Sequence, residues 1–182
     1  PLADGSTFPV FAKPVRGSAS KGAQVVSSLE QLNALEAEAT DYIVQRFVRG
    51  PEYTVDAYVD RRGALHGVSV RSRDVVVGGE VEVSTTLRDD EISAASEQAL
   101  SRLGLVGPLT LQFIRESSSG ALYLIEINPR FGGGVPASIE AGYDFPAMMI
   151  EEALGRPITP PMNTRNVCMM RYSQEYFCAT DS

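Results

Sequence analysis

The sequence has no tryptophan, one histidine and two cysteines in 182 residues. Each shortage excludes a chemistry. A Ser-His-Asp relay or a zinc centre would have to be built around His66 alone. That residue follows a turn at residues 60–63 and reads as a half-exposed side chain on a hairpin strand, so neither a histidine-based hydrolase nor a zinc enzyme is expected. Cys168 and Cys178 are too few for a disulfide framework; they read as ordinary packing residues, with reduced thiols that fit a cytoplasmic protein. Basic residues are also in short supply, 16 Lys and Arg against 23 Asp and Glu, for a net charge of -7. An acidic chain without tryptophan or a basic stripe is not expected to bind nucleic acid, and any positive charge meant for phosphates has to be local. No stretch approaches the roughly 20 apolar residues of a membrane helix. The first residues show neither the basic start nor the apolar run of a leader peptide.

What remains is carboxylates, amides, lysine and arginine on a patterned α+β chain. Residues 8–12 read as a strand running into Lys13-Pro14, residues 23–26 as a short strand, and residues 42–45 as another. Between the last two, Ser28 and Gln31 make a capping box for a helix reaching about residue 39. Further on, residues 52–59 and 64–70 form one hairpin; residues 75–77 and 81–83 form a second around Gly78-Gly79. Asp89 caps a helix with Ile92, Ala95, Ala99 and Leu103 on one face, ended by Gly104. Residues 109–114 and 122–127 are apolar strands. Residues 135–141 look helical, and a last helix opens near Asp144 and stops at Gly155. Residues 166–178 alternate weakly and read as one more strand. Helices interleaved with antiparallel hairpins predict an α+β fold of two lobes with antiparallel sheets, the first over residues 1–48, the second over 49–157, with an extension over 158–182.

The most informative string is Leu124-Ile125-Glu126-Ile127-Asn128-Pro129-Arg130. Residues two apart on a strand share a face, so Glu126 and Asn128 point together while Ile125 and Ile127 point into a core. A turn centred on Ser119 gives paired residues a constant number sum of 238, which sets Gln112 opposite Glu126. Gln112, Glu126 and Asn128 then offer three oxygens to a hard cation such as Mg²⁺, with Mn²⁺ as the alternative, and Arg130 follows within reach of a charge beyond the metal. Lys13, leaving a strand before the small polar loop at residues 17–22, can cover phosphates, although no P-loop pattern is present. The segment Gln45-Arg46-Phe47-Val48 connects the lobes and can present its backbone to an adenine edge; Glu52 can accept ribose hydroxyls. Arg71 and Arg73 read as arginines after a strand, candidates for a substrate carboxylate.

In this order the elements resemble the ATP-grasp superfamily, in particular its carbamoyl-phosphate synthase large-chain branch and small carboxylate-amine ligases. The resemblance runs over residues 8–157, and the string Glu-Ile-Asn-Pro-Arg with Gln112 upstream and Gly132-Gly133-Gly134 downstream is its most specific part. It implies an ATP-grasp fold whose lobes enclose a nucleotide cleft. It implies that Lys13 contacts the α- and β-phosphates, that Ser18, Ser20 and Gly22 belong to a flap over the triphosphate, and that Gln45, Phe47 and Val48 hold adenine. Glu52 would take the ribose, Gln112, Glu126 and Asn128 the Mg²⁺, and Arg130 the transferring phosphoryl group. The implied reaction phosphorylates a small-molecule carboxylate from ATP and passes the acyl phosphate to an amine. The alternatives are carbamoyl-phosphate-synthase-like phosphorylation of bicarbonate or carbamate, and a non-catalytic ATP-binding module or fragment. Many members have Asp where Gln112 stands, and a neutral amide should hold the metal less tightly. The resemblance also implies a preceding substrate-binding domain, absent from this chain, and a partner domain or a homo-oligomer as further context.

Overall fold

The computed structural model describes residues 7–17, 21–36 and 41–179. It opens with strand β1 (Val10–Pro14), strand β2 (Gln24–Val26), helix α1 (Leu29–Glu36) and strand β3 (Tyr42–Arg46). The three strands form an antiparallel sheet in the order β2-β1-β3. Val10, Ala12 and Val26 on one face pack against Leu32 and Leu35 of α1. Ser28 Oγ accepts from the backbone N–H of Gln31 at 3.3 Å, as the capping box requires. In the return bond the N–H of Ser27, one residue earlier than expected, donates to Gln31 Oε1 at 2.8 Å.

The second sheet is built from β4 (Glu52–Val59), β5 (Leu65–Ser72), β6 (Val75–Val77), β7 (Glu80–Leu87), β8 (Gly107–Arg115), β9 (Leu122–Asn128) and β10 (Cys168–Met170). Its order is β10-β7-β5-β4-β8-β9, with β6 on β7, and every pairing is antiparallel. Helix α2 (Asp90–Leu103) lies across one face and buries Ile92 and Leu100 against Val55, Ala57, Val70, Leu109, Leu111 and Phe113. The Asp89 carboxylate accepts from Ile92 N–H at 3.0 Å, a cap worth about 1 kcal/mol, and Gly104 closes the helix in the left-handed region. The same carboxylate pairs with Arg115 at 2.8 Å, which ties the helix start to β8. Helices α3 (Val135–Glu140) and α4 (Phe145–Ala153) cover part of the opposite face, where Tyr58, Phe145 and Met148 pack together. β4 is therefore buried on both faces from Thr54 onward. Two antiparallel sheets and four helices among the described residues make the α+β fold that the pattern predicts.

The strand expected over residues 166–178 is confined to Cys168–Met170, and residues 171–179 are exposed and outside any strand. β10 adds an edge strand beside β7, and Thr86 exchanges hydrogen bonds with Val167 at 2.8 and 2.7 Å. Cys168 and Cys178 are exposed, which corrects their expected role as packing residues. Among the described residues no helix is long and apolar enough to cross a membrane.

His66 is half-buried on β5, with Nε2 2.8 Å from Asp60 Oδ2 at the hairpin turn. Asp60 also accepts the N–H groups of Ala64 and Arg62, both at 2.9 Å. These bonds, the one to His66 foremost, hold its carboxyl below the ordinary carboxylate range. A folded-state pKa below the unfolded one gives stability that is present above the unfolded value and lost as pH falls through the folded value. The melting-temperature difference between the chain and Asp60→Asn should therefore be full at about pH 6 and shrink below about pH 4. A difference that stays constant on acidification would show that Asp60 carries no ionised contact.

Candidate functional site

The face of the large sheet away from α2 carries two rows of polar side chains. Directly paired residues of antiparallel strands share a face, with Cβ atoms about 5 Å apart. Thr54 pairs with Arg71 on one side and Gln112 on the other, and Gln112 pairs with Glu126. The next row runs Ser69, Asp56, Thr110, Asn128. Gln112, Glu126 and Asn128 thus meet at one corner of the sheet, as expected, and Asn128 Nδ2 donates to Glu126 Oε1 at 2.6 Å.

The expected pairing is found, but the register behind it differs. Paired numbers add to 238 from Thr110↔Asn128 to Gln112↔Glu126 and to 237 from Phe113↔Leu124 to Arg115↔Leu122. Ile125 is the extra residue of a bulge. It does not join Ile127 beside the α2 core, as the simple alternation predicts, but lines the cleft. Its carbonyl accepts from Lys13 Nζ at 3.3 Å, across from β1 of the small sheet.

That contact spans a cleft of about 640 Å³ between the two sheets. Lys13 and Gln45 line it from the small sheet, and Gln112, Glu126, Asn128 and Arg130 from the large one. Phe47, Val48 and Glu52 line it from the connecting segment and the start of β4. Gly22 is not among the lining residues; it takes a left-handed turn between Lys21 and Ala23, which are. Ser18 and Ser20 lie outside the described residues. The connection is pinned by Ser117 N–H to Arg49 O at 2.9 Å and Arg115 N–H to Pro51 O at 3.1 Å. Gly50 passes so close to β8 that a Cβ there would lie 2.8 Å from the Arg115 carbonyl carbon. Arg46 closes the same side, donating to Tyr123 OH at 3.0 Å and pairing with Glu116.

Several contributors were not anticipated. Phe11, Ile114 and Ile125 give the cleft apolar walls, and Lys21 adds a second lysine. Arg71 does not follow a strand but lies within β5, its side chain is 2% exposed, and its Nε is 2.8 Å from Asp56 Oδ2, itself 2% exposed. Arg73 is also largely covered, with Nε 3.1 Å from Glu52 Oε2, so it steadies the carboxylate expected to face a ribose. A carboxylate alternating with apolar residues in Tyr53-Thr54-Val55-Asp56-Ala57 was the available signal for a buried polar row. Lys13, Lys21, Arg46, Arg71, Arg73 and Arg130 line the cleft against Glu52, Glu80 and Glu126. Arg46, Arg71 and Arg73 are paired with Glu116, Asp56 and Glu52, so Lys13, Lys21 and Arg130 are the lining cations in no ion pair among the described residues.

Among the described residues no three of His, Cys, Asp and Glu are grouped to hold a metal ion. Gln112, Glu126 and Asn128 supply one carboxylate and two amides. That donor set fits a hard cation that completes its shell with phosphate and water, and not a soft metal that seeks thiolate or imidazole.

Residues 38–176 match a family model described as ATP-grasp in the biosynthetic pathway with Ter operon. The chain is 26% identical over 176 residues to the arginine-specific carbamoyl phosphate synthase large chain of Geobacillus stearothermophilus, covering 86% of this chain and 17% of that one. It is 30% identical over 142 residues to the D-alanine–D-alanine ligase of Geobacter sulfurreducens, covering 70% of this chain and 45% of the ligase. The N5-carboxyaminoimidazole synthetase of Staphylococcus aureus, solved with ADP, has a TM-score of 0.76 at 18% identity over 91% of this chain and 46% of that one. The biotin carboxylase domain of the Hydrogenobacter thermophilus 2-oxoglutarate carboxylase, solved with MgADP, ADP and bicarbonate, has a TM-score of 0.75 at 19% identity over 92% and 42%. These two structures share the fold. The chain spans less than half the length of each of these four relatives.

Proposed function

The chain belongs to the ATP-grasp family, and on that basis we propose that its cleft holds Mg-ATP and activates a carboxylate by phosphorylation for ligation to an amine. The observation that carries this reading is the facing of Lys13 toward the Gln112, Glu126 and Asn128 corner across a cleft lined by six cations and three carboxylates. Lys13 and Lys21 bring charge to the phosphate side. The backbone of Phe47 and Val48 with Gln45 faces an adenine edge, between the apolar walls of Phe11, Ile114 and Ile125. Glu52, steadied by Arg73, accepts from ribose hydroxyls. Gln112, Glu126 and Asn128 would hold Mg²⁺, which when bound would offset the negative charge of the phosphates. Arg130, just past the end of β9, faces the transferring phosphoryl group.

The substrate carboxylate oxygen attacks the γ-phosphorus and ADP leaves; the amine then attacks the acyl carbon and phosphate leaves. The residues position reactants and stabilise charge, and no protein nucleophile is needed. A cytoplasmic setting, where ATP is abundant, belongs to this reading.

Calorimetric titration with a non-hydrolysable ATP analogue should show binding that strengthens at least about tenfold when Mg²⁺ is added. No heat at millimolar analogue would sink the nucleotide reading. Trapping with hydroxylamine then separates the chemistries. Hydroxamates from organic acids support the ligase. ATP turnover with bicarbonate alone moves the assignment to carbamoyl-phosphate-type chemistry. Binding without turnover of either marks a binding module.

A further inference from the structure

The segment that carries Arg130 is held from beneath by a buried network. Thr110 Oγ1 lies 2.9 Å from the Arg130 carbonyl and 3.3 Å from Asp56 Oδ1; its single proton goes to one or the other. Asp56 Oδ2 accepts from Arg71 Nε and from Ser138 Oγ, both at 2.8 Å. Residues 130–138 are thus gripped at both ends, at the Arg130 carbonyl and at Ser138 in α3. Between these points the chain rests on the Arg71 guanidinium. A Cβ at Gly134 would lie 2.6 Å from Arg71 Cζ, and one at Gly132 would lie 3.1 Å from Nη2. Gly133 has room: its nearest neighbour would be Glu80 Oε2 at 3.7 Å. Arg71 Nη1 is buried with no hydrogen-bond partner among the described residues.

We propose that Asp56, Arg71 and Thr110 are positioning residues for Arg130, and that Gly132 and Gly134 are glycines because the Arg71 guanidinium lies directly under them. A buried ion pair is a poor device for stability alone, since apolar residues of the same volume commonly serve as well. Here the pair fixes a backbone. Its carboxylate ties β5 and α3 to β4, and its guanidinium sets the height of the loop. A displacement of the Arg130 backbone by a fraction of an ångström changes what its side chain can reach.

The proposal rests on the nucleotide reading, with Arg130 at the γ-phosphate. The test compares Mg²⁺-dependent affinities for ADP and for a non-hydrolysable ATP analogue. Their ratio reports contact with the γ-phosphate and is blind to general loosening. The chain should prefer the triphosphate, and Arg130→Ala should abolish the preference. Thr110→Val, which keeps the shape and removes the hydroxyl, should cut the preference about tenfold with ADP affinity unchanged. Thr110→Ser should restore it. Should Thr110→Val fail to fold, Gly134→Ala should lose the preference and Gly133→Ala keep it. An unchanged ratio in Thr110→Val, or an equal loss of both affinities, overturns the positioning role and leaves the nucleotide site standing. An unchanged ratio in Arg130→Ala overturns it as well. No binding of either nucleotide by the chain itself overturns both.

Discussion

Asp56→Ala should lower the melting temperature by about 10 °C, because it leaves the Arg71 guanidinium charged, buried and unpaired. Removing one member of a buried pair costs about 3–5 kcal/mol, and a chain of this size loses about 2–4 °C for each. Asp56 also bonds Ser138 and lies next to Thr110, so the loss is not confined to one contact. The double change Asp56→Val with Arg71→Leu should recover a large part of the loss, because no charge is then stranded. Differential scanning fluorimetry on the three chains decides it. A single change that shifts the midpoint by less than about 2 °C would show that Arg71 finds water or another partner, and the buried pair would not have the energetic weight given to it here.

Glu126→Ala should weaken Mg²⁺-dependent nucleotide binding by about a hundredfold. Glu126 is the one carboxylate at the corner where Gln112 and Asn128 contribute amides, so its removal leaves the cation with neutral protein donors. Nucleotide affinity without metal should change little, since the lysines and the connecting segment are untouched. Gln112→Asp should act in the opposite direction, because a second carboxylate then faces Glu126 across the strand pair. A Mg²⁺ titration at fixed nucleotide measures both. Unaltered metal dependence in Glu126→Ala would remove this corner from the metal assignment and leave the rest of the cleft in place.

The local elements were legible because local rules set them. Glu52–Val59 begins and ends where its pattern says, and Asp89 and Gly104 bound α2 through their own capping bonds. Glu126 and Asn128, two apart on a strand, needed only the pleat. What the sequence hid depends on partners distant along the chain. Arg71 looks like any arginine near a strand end until Asp56, fifteen residues earlier, is placed beside it. β10 has little pattern of its own, because its place is set by β7, more than eighty residues upstream. The bulge at Ile125 was hidden too, since one surplus residue alters the register and leaves the composition unchanged. The exposed thiols went unread because Cys168 sits on an edge strand, which turns outward residues that a central strand would cover, and Cys178 lies beyond it in no strand at all.

That bulge also bears on how the site tolerates change. In a plain hairpin, parity rules: had the pairing set by the turn at residues 117–120 continued unbroken, Ile125 would face Gln112 and Glu126 would turn toward α2. The surplus residue resets odd to even between the turn and the corner formed by Gln112, Glu126 and Asn128. A one-residue shortening or lengthening of β9 can be absorbed there, by losing the bulge or widening it, without inverting the strand beyond. The turn is thereby uncoupled from the cleft, and drift in its length need not reach Gln112, Glu126 and Asn128.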